Sequence, residues 1–415
     1  MVEDTETIDH EADIVSKYCQ QPKKLEVLTA ASLIIWDEAL TNHKHCLSTA
    51  FSITNDFRGK VLVLMGDWRQ TPPVVRNGNQ SEIIRASFKC SRYWSMFSIY
   101  SFTINQRLLA TQQQGEIESI EFRSKQMKYL KMIDTLGDGK FPSRSNTVIN
   151  IYEGNMDVNG SAIVCLPLIK GISDMSKALD FLFPMGFNAE IMYTRAILSA
   201  TNVQVDEWNA VIQSLNPSPL HVLCSVDRVK EMDDPNGFLA AMIDDSVLER
   251  FQKTGVPHHR LQLKVNDICL IQRTLNRKEG LTTNTRVRIL HIAKTCIRVC
   301  TMDPTKRKDF NIPRIKFTVA LPYGRSLEME RIQFPLRLAY SITYNKSQGQ
   351  EFDYVLCDIR KEPFTHGHLY VALSRIRIAD NIRFFVSEAN DMEVAEEEFD
   401  GGSIVTNVVY KDLSL

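Results

Sequence analysis

The sequence predicts an α/β protein built around an open sheet. Two short apolar runs, "LIIW" at 33–36 and "VLVLM" at 61–65, are continuous rather than alternating, which is typical of parallel strands buried on both faces. A helical pattern near residues 40–57 lies between them. From residue 261 to 333, short alternating strands broken by Asn, Gly and Pro predict a small β barrel instead.

Polar residues follow both apolar runs. Asp37 and Glu38 come after the first run, and "GDWRQTPPV" at 66–74 comes after the second. Ligands in open α/β sheets bind beyond the carboxyl ends of the strands, so we expect these side chains on one rim. Asp37 would hold Mg²⁺ through its waters, Glu38 would orient or deprotonate a water, and Gln70 would contact a γ-phosphate. An isolated Asp-Glu pair is more simply an exposed strand end; the neighbouring motifs favour the nucleotide interpretation.

Further motifs add basic groups to this expected site. Asp67 and Arg69 could pair across the rim, and "TINQRL" at 103–108 places Arg107 at another strand end. The polar stretch at 343–349 suits a loop that contacts backbone phosphates and nucleotide at once. "THGHLYVALSRIR" at 365–377 reads as a helix ending on Arg375, aimed out of an apolar face, which could neutralise charge on a transferred phosphoryl group.

Composition excludes several classes of protein. Hydrophobic residues are 44% of the chain and the net charge is −1, so any polyanion-binding surface must be local. No run reaches the ~18 to 20 apolar residues of a membrane span. The acidic N-terminus lacks the layout of a signal peptide. Nine scattered cysteines without zinc or disulfide spacing favour a reducing intracellular compartment.

These motifs, in this order, resemble those of the Pif-one-type DNA helicases of superfamily one, most of all the branch that includes Helitron transposon helicases. "SLIIWDEA" is similar to motif II, "GDWRQTPPVV" to motif III and "NQR" to motif IV. "ITYNKSQGQEFD" is similar to motif V and "HGHLYVALSR" to motif VI. Weaker similarity extends over nearly the whole chain from about residue 13.

The resemblance implies a P-loop NTPase-like α/β fold in which two RecA-like domains clamp ATP, with a small SH3-like β barrel inserted in the second. Residues 1–105 would belong to the first domain, 106–260 and 334–415 to the second, and 261–333 to the barrel. It further implies 5′-to-3′ translocation on single-stranded DNA, unwinding of forked duplex DNA, a monomer when complete, and no membrane partner. Roles in DNA repair, recombination, telomere maintenance or Helitron transposition, in the nucleus or the mitochondrion, are implied at the family level.

The resemblance also assigns roles to matching residues. Asp37 matches the Mg²⁺ position. The catalytic positions are Glu38, Gln70, Arg107 and Arg375. Nucleotide-contacting positions are Asp67, Arg69, Gln348 and Gly349, and DNA-contacting positions are Thr343, Asn345, Lys346 and Ser347. Three residues depart from the family pattern: Trp68 replaces a usual Phe, Asn345 a common His, and His368 a common Gln.

The sequence holds no P-loop of the form G-x-x-x-x-G-K-[ST]. "RGKV" at 58–61 and "GDGKF" at 137–141 contain Gly-Lys, but neither has the earlier Gly or the following hydroxyl. The backbone amides and Lys of that loop cradle the phosphates. We therefore expect an incomplete first RecA-like domain and a chain that lacks ATPase activity by itself. The alternatives are a non-catalytic remnant that binds single-stranded nucleic acid and a fragment that does not fold stably.

Overall fold

A computed structural model describes residues 22–54, 57, 59–75, 78–102, 120–140, 161–231, 243–301, 307–321, 327–387 and 403–413. The chain divides into two compact units. The first unit comprises residues 1–170, 362–380 and 394–415, and the second comprises residues 171–361 and 381–393.

The described helices are α1 (Pro22–Ala30), α2 (Lys44–Ile53), α3 (Gln80–Ala86), α4 (Ile120–Gly137), α5 (Met175–Leu182), α6 (Ala189–Tyr193), α7 (Asn202–Leu215), α8 (Asp245–Arg250), α9 (Tyr344–Ser347) and α10 (His368–Leu373). The described strands are β1 (Leu33–Trp36), β2 (Val61–Leu64), β3 (Ser161–Leu166), β4 (Lys170–Ile172), β5 (Arg195–Ser199), β6 (His221–Cys224), β7 (Val226–Glu231), β8 (Arg260–Leu263), β9 (Ile268–Ile271), β10 (Arg286–Ile292), β11 (Cys296–Thr301), β12 (Asp309–Pro313), β13 (Ile315–Ala320), β14 (Leu327–Gln333), β15 (Leu336–Leu338), β16 (Ser341–Thr343), β17 (Tyr354–Asp358), β18 (Ile382–Phe385) and β19 (Ser403–Val408).

The predicted strands at the start of the chain are present and parallel. β1 pairs with β2 in a register that sets Leu33 opposite Val61 and Trp36 opposite Leu64. One face of this pair packs on an apolar core. The buried members of that core are Ala39, Leu47, Phe51, Phe57 and Phe88. The aromatic side chains from α2 and the segments after α3 thus cover this face and fix the strand-helix-strand order that the sequence predicts.

The opposite face of β1 and β2 differs from the prediction of strands buried on both sides. Among the described residues no element covers it, so alternate side chains along both strands stay open to solvent. The exposed residues are Leu33 (53% exposed), Ile35 (59%), Val61 (59%), Val63 (38%) and Met65 (40%). The sequence prediction was wrong here. An apolar run shows that both faces of a strand could be buried, but no layer that would bury this face is among the described elements.

The remainder of the first unit joins distant parts of the chain. β3 pairs antiparallel with β19, and α4 packs against α10. The Tyr129 hydroxyl on α4 donates to the Leu373 carbonyl at 2.9 Å, and the Asn407 amide donates to the Leu136 carbonyl at 3.0 Å. Both bonds are buried; the first joins α4 to α10, and the second joins α4 to β19.

The second unit is built on a mostly parallel sheet. Its strand order is β16-β5-β17-β18-β4, and β16, β5, β17 and β18 run parallel. Helix α7 packs on β5 and β16. Its buried Trp208 donates from Nε1 to Asp358 at the end of β17 at 2.8 Å. β5 and α7 thus form a strand-helix unit whose helix packs on its own sheet.

Antiparallel strands follow in the second unit, as the alternating pattern from residue 261 predicts. One sheet has the order β12-β11-β10-β9-β15 and encloses a core of aliphatic side chains from β8 to β15. A separate sheet has the order β13-β14-β7. The segment before residue 261 contains β6, β7 and α8. That the antiparallel strands form an SH3-like barrel stays a prediction.

The compact units do not follow the predicted domain boundaries. Residues 362–380 belong with the first unit, because α10 packs on α4, whereas the sequence assigned 334–415 to the second domain. The division into compact units does not test the predicted RecA-like domains, which stay a prediction. Within the described ranges, none of the helices has the length and apolar character needed to span a membrane.

Candidate functional site

Asp37 and Glu38 follow the end of β1, beside the end of β2. The Met65 amide donates to the Trp36 carbonyl at 2.9 Å, and the Ala39 amide donates to the Met65 carbonyl at 2.8 Å. Glu38 between them has φ 51° and ψ 33°, a left-handed conformation that is unusual for a residue with a side chain. Its carbonyl accepts from the Thr41 hydroxyl at 2.9 Å. Local turn bonds thus hold a strained backbone at the predicted catalytic position.

Several charged groups act on the Glu38 carboxyl. Burial raises its pKa first, and the adjacent Asp37 carboxylate raises it further. The Arg375 guanidinium opposes this rise, and Asp67 adds to it. All four groups therefore lie close enough to interact within the first unit. A carboxyl with a raised pKa is a better proton acceptor, which suits the role predicted for Glu38.

The loop at residues 66–70 forms a tight turn beside the acid pair. Gly66 lies so close to Leu40 that an added Cβ would approach its Cγ to 2.7 Å. The Asp67 carboxylate accepts from the Arg69 amide at 3.0 Å, and the Asp67 carbonyl accepts from the Gln70 amide at 3.1 Å. These bonds fix the backbone that carries Gln70.

The predicted pairing of the Asp67 carboxylate with the Arg69 guanidinium does not occur. Arg69 instead binds two carboxylates of α4 and the turn after it, Asp134 at 2.8 Å and Asp138 at 2.7 Å. The second oxygen of Asp67 accepts from the Tyr370 hydroxyl at 2.8 Å. Sequence reasoning missed these partners because they lie more than sixty residues away along the chain.

Arg375 does not project outward as predicted. Its side chain is only 6% exposed and folds back over the end of α10. Nε donates to the Val371 carbonyl at 3.0 Å, and one terminal nitrogen donates to the Ser374 hydroxyl at 2.8 Å. The charge nonetheless acts on Glu38, so the predicted arginine and the predicted base share one site.

The 343–349 stretch lies in the second unit and forms one helical turn, α9, where a loop was predicted. Ser347 is fully buried and donates its hydroxyl to the Tyr344 carbonyl at 2.7 Å, which corrects its expected contact with DNA. Burial, followed by the Arg337 charge, lowers the pKa of Lys346 to about 8. Gly349 has φ 70° and is exposed. The partly exposed members of the stretch are Thr343, Asn345, Lys346 and Gln348.

Arg107 lies outside the described residues. Two other residues, His366 and Tyr370, contact the 66–70 loop directly, and sequence reasoning gave them no role in the site. Both lie inside "HGHLYVALSR", and this position in a motif was the one feature of the sequence that pointed to them. Their partners could not be read from the sequence.

The donor chemistry of the site fits Mg²⁺. Asp37 offers an exposed carboxylate with hard oxygens, and Mg²⁺ keeps most of its waters when one or two carboxylates and substrate phosphates hold it. No cluster of three or more His, Cys, Asp or Glu side chains in the described part of the chain could hold a metal by itself. The ion would therefore need the phosphates of a nucleotide as additional ligands.

Comparisons with known sequences find similarity to one family of helicases. Residues 7–147 match the family model described as PIF1-like helicase. The chain is 22% identical over 329 residues to an ATP-dependent DNA helicase Pif1 of Bdellovibrio bacteriovorus, covering 78% of this chain and 57% of that protein. A Pif1 helicase of Campylobacter jejuni is 45% identical over 53 residues, which cover 13% of this chain and 12% of that protein. The chain thus spans less than two thirds of either relative.

Solved structures share the fold. The crystal structure of Pif1 helicase from Candida albicans aligns with TM-score 0.59 and 19% identity over 97% of this chain and 80% of that chain. Bacteroides Pif1 bound to single-stranded DNA aligns with TM-score 0.56 and 18% identity over 90% of this chain and 75% of that chain. The α/β fold is therefore that of Pif1 helicase structures. The chain is thus similar to PIF1-like helicases over residues 7–147, and it shares the fold of Pif1 helicase structures.

Proposed function

We propose that this chain supplies most of an ATP-dependent DNA helicase, including the acids, the γ-phosphate contact and one arginine of its nucleotide site. The observation that carries the proposal is the electrostatic grouping of Asp37, Glu38, Asp67 and Arg375 beside the turn that presents Gln70. A lone acid pair would be a strand end, whereas acids, an amide and an arginine together are the parts that phosphoryl transfer uses.

In the proposed reaction Glu38 accepts a proton from a water as the water oxygen attacks the γ-phosphorus. The bond from that phosphorus to the bridging oxygen of ADP breaks, and Arg375 offsets the charge that develops. Mg²⁺ beside Asp37 would neutralise phosphate charge when bound. Gln70, held by the 66–70 turn, would contact the γ-phosphate. The relative that was solved with ADP-AlF₃ and single-stranded DNA, Bacteroides Pif1, supports nucleotide and DNA as the ligands to test.

The finer proposals follow from the resemblance. They are 5′-to-3′ translocation on single-stranded DNA, unwinding of forked duplex DNA and action in the nucleus or mitochondrion. DNA repair, recombination, telomere maintenance and Helitron transposition are the proposed settings. A solved structure that describes DNA unwinding at forked duplex DNA by two coordinating Pif1 helicases supports testing forked substrates. Thr343, Asn345 and Lys346 are the proposed DNA contacts, and Gln348 and Gly349 the proposed nucleotide contacts in the second unit.

The test is DNA-stimulated ATP hydrolysis. We expect the 415-residue chain to show none above background, because the sequence holds no P-loop to cradle the triphosphate. The same chain expressed with its in-frame upstream coding sequence should hydrolyse ATP if that sequence encodes a P-loop. Glu38→Gln should then lower kcat by at least a hundredfold.

Two outcomes would contradict the proposal. Robust hydrolysis by the 415-residue chain that Glu38→Gln abolishes would show that a P-loop is not required. Upstream-extended protein that binds ATP but is unaffected by Glu38→Gln would remove the acid pair from the mechanism. Salt-dependent binding of single-stranded DNA without hydrolysis in any form would favour the non-catalytic alternative.

A further inference from the structure

His366 bridges two segments of the first unit that are distant in sequence. Its side chain is 1% exposed. Nε2 lies 2.6 Å from the Trp68 carbonyl oxygen in the 66–70 loop. On the other side of the ring, the Tyr410 amide donates to Nδ1 at 2.8 Å, and the two rings stack with centroids 5.6 Å apart.

These two partners assign one protonation state to the imidazole. The Tyr410 amide is a donor, so Nδ1 must accept and carries no proton. The Trp68 carbonyl is an acceptor, so Nε2 must donate and carries the proton. The ring is therefore neutral, with a single tautomer, and both of its nitrogens are used to join protein backbone to protein backbone.

The neighbours of His366 in the chain reinforce this contact with the 66–70 loop. Gly367 has φ 75°, and a Cβ added there would lie 2.4 Å from the Arg69 carbonyl oxygen, so only glycine permits this approach. One helical turn later Tyr370 donates to Asp67 at 2.8 Å. Three consecutive positions of the 66–70 loop are thus held by the segment that leads to Arg375.

We propose that His366 is a positioning residue: through the Nε2–H bond to the Trp68 carbonyl it fixes the loop that carries Gln70 relative to the segment that carries Arg375. Tyr410 holds the imidazole in the required tautomer from the opposite side. This inference rests on the proposed function for what the loop does, whereas the contact itself exists without nucleotide. His366 touches neither substrate nor reacting atoms and acts only through the loop.

A matched pair of amides separates the two nitrogens of the ring. The Gln side chain amide can reach the place of Nε2 and keep a donor to Trp68. The Asn amide reaches only the place of Nδ1 and loses that donor. Both variants remove the imidazole and its stacking on Tyr410. A merely structural role in filling the core would make the shorter and the longer amide similarly damaging.

The first readout is hydrogen exchange by mass spectrometry on the 415-residue chain without nucleotide. We expect the peptide spanning residues 66–71 to exchange about tenfold faster in His366→Asn and within twofold of the parent in His366→Gln. The peptide over β5 in the second unit should exchange unchanged in both, which reports that the chain is folded. Equal exchange of residues 66–71 in parent and Asn variants, or equally fast exchange in both variants, would overturn the proposal.

The second readout is the imidazole itself. Histidine-selective ¹⁵N labelling at pH 7, with His366→Gln identifying the signal, should show a protonated Nε2 and an unprotonated Nδ1. The opposite tautomer or an imidazolium would contradict the assignment. Neither this measurement nor the exchange experiment requires ATP, so both give an answer even if the proposed helicase activity fails.

The third readout applies where the upstream-extended protein hydrolyses ATP. There His366→Asn should lower kcat about tenfold with KM changed less than twofold, and His366→Gln should recover most of that loss. Unchanged kcat in His366→Asn would show that His366 does not position the loop relative to Arg375. The proposed function would still hold, because the parent protein hydrolyses ATP.

Discussion

At the scale of single residues, burial decides the protonation state of His368. His368 lies two residues after His366 and is 4% exposed. Its ring packs edge-on against Phe364, with the ring centroids 4.9 Å apart. Burial lowers the pKa of His368 to about 3. A histidine at this position is therefore neutral throughout the range where unfolded histidine titrates.

This neutral histidine predicts acid sensitivity. The folded pKa lies below the unfolded value of about 6.5, so stability is fully present above pH 6.5 and falls as pH decreases toward 3. Between pH 7 and pH 5 the contribution of His368 to the free energy of unfolding should fall by about 2 kcal/mol. His368→Gln should reduce that loss in urea unfolding at the two pH values, whereas Gln at the exposed His291 should not. An unchanged pH dependence in His368→Gln would contradict the assignment.

Lys346 predicts a loss of DNA affinity at alkaline pH. Because its pKa is lowered to about 8, the proposed DNA contact carries its full charge at pH 7 and loses most of it by pH 9. The Kd for a single-stranded oligonucleotide should rise roughly fivefold over that range, the worth of about 1 kcal/mol for one phosphate contact.

Two variants check the Lys346 prediction. Lys346→Arg keeps its charge at pH 9 and should hold the affinity, whereas Lys346→Met should bind weakly at both pH values. A pH dependence that persists in Lys346→Met would show that another group titrates. Fluorescence anisotropy with a labelled oligonucleotide at constant salt measures all three proteins.

At the scale of elements, the β1–β2 pair shows how far local pattern determines packing. Both strands have the apolar runs of fully buried parallel strands, and their register and direction agree with that pattern. One face packs on the core around Phe51 and Phe88, while Ile35 and Val61 on the other face are each 59% exposed. An aliphatic surface of this kind on a parallel sheet favours association with another layer.

Neighbouring isoleucines on β1 test this asymmetry. Ile34→Ala should lower the free energy of unfolding by about 2 kcal/mol, because Ile34 packs against the core. Ile35→Ala should cost about 0.5 kcal/mol or less and should reduce binding of a hydrophobic dye. Equal costs in denaturant unfolding would show that both faces are covered in solution.

At the scale of the whole molecule, each unit carries a different part of the proposed activity. The first unit holds the acids, the Gln70 loop and Arg375, and the second holds the 343–349 stretch with Lys346. We expect no hydrolysis because the sequence contains the proposed base and arginine but no P-loop to bind the phosphates. Hydrolysis and DNA binding should therefore be separable in this chain.

The sequence alone determined the elements and the order of the site residues. The parallel strands β1 and β2 and the helix before Arg375 were predictable because apolar periodicity and strand-end polar residues are local properties. Asp37 and Glu38 were placed at a strand end for the same reason. The prediction failed at Arg69 because its partners lie more than sixty residues away along the chain, and at the exposed strand face because the covering layer is not among the described elements. It failed at Ser347 because burial in the folded unit is not a local property of the sequence.

Only the tertiary structure decided which groups act on one another. That Arg69 binds Asp134 and Asp138, that Arg375 acts on Glu38, and that His366 joins Trp68 to Tyr410 depends on packing between segments tens to hundreds of residues apart. Local sequence sets the backbone conformations available to each segment. The burial of one segment against another then selects the hydrogen-bond partners, the tautomer and the pKa.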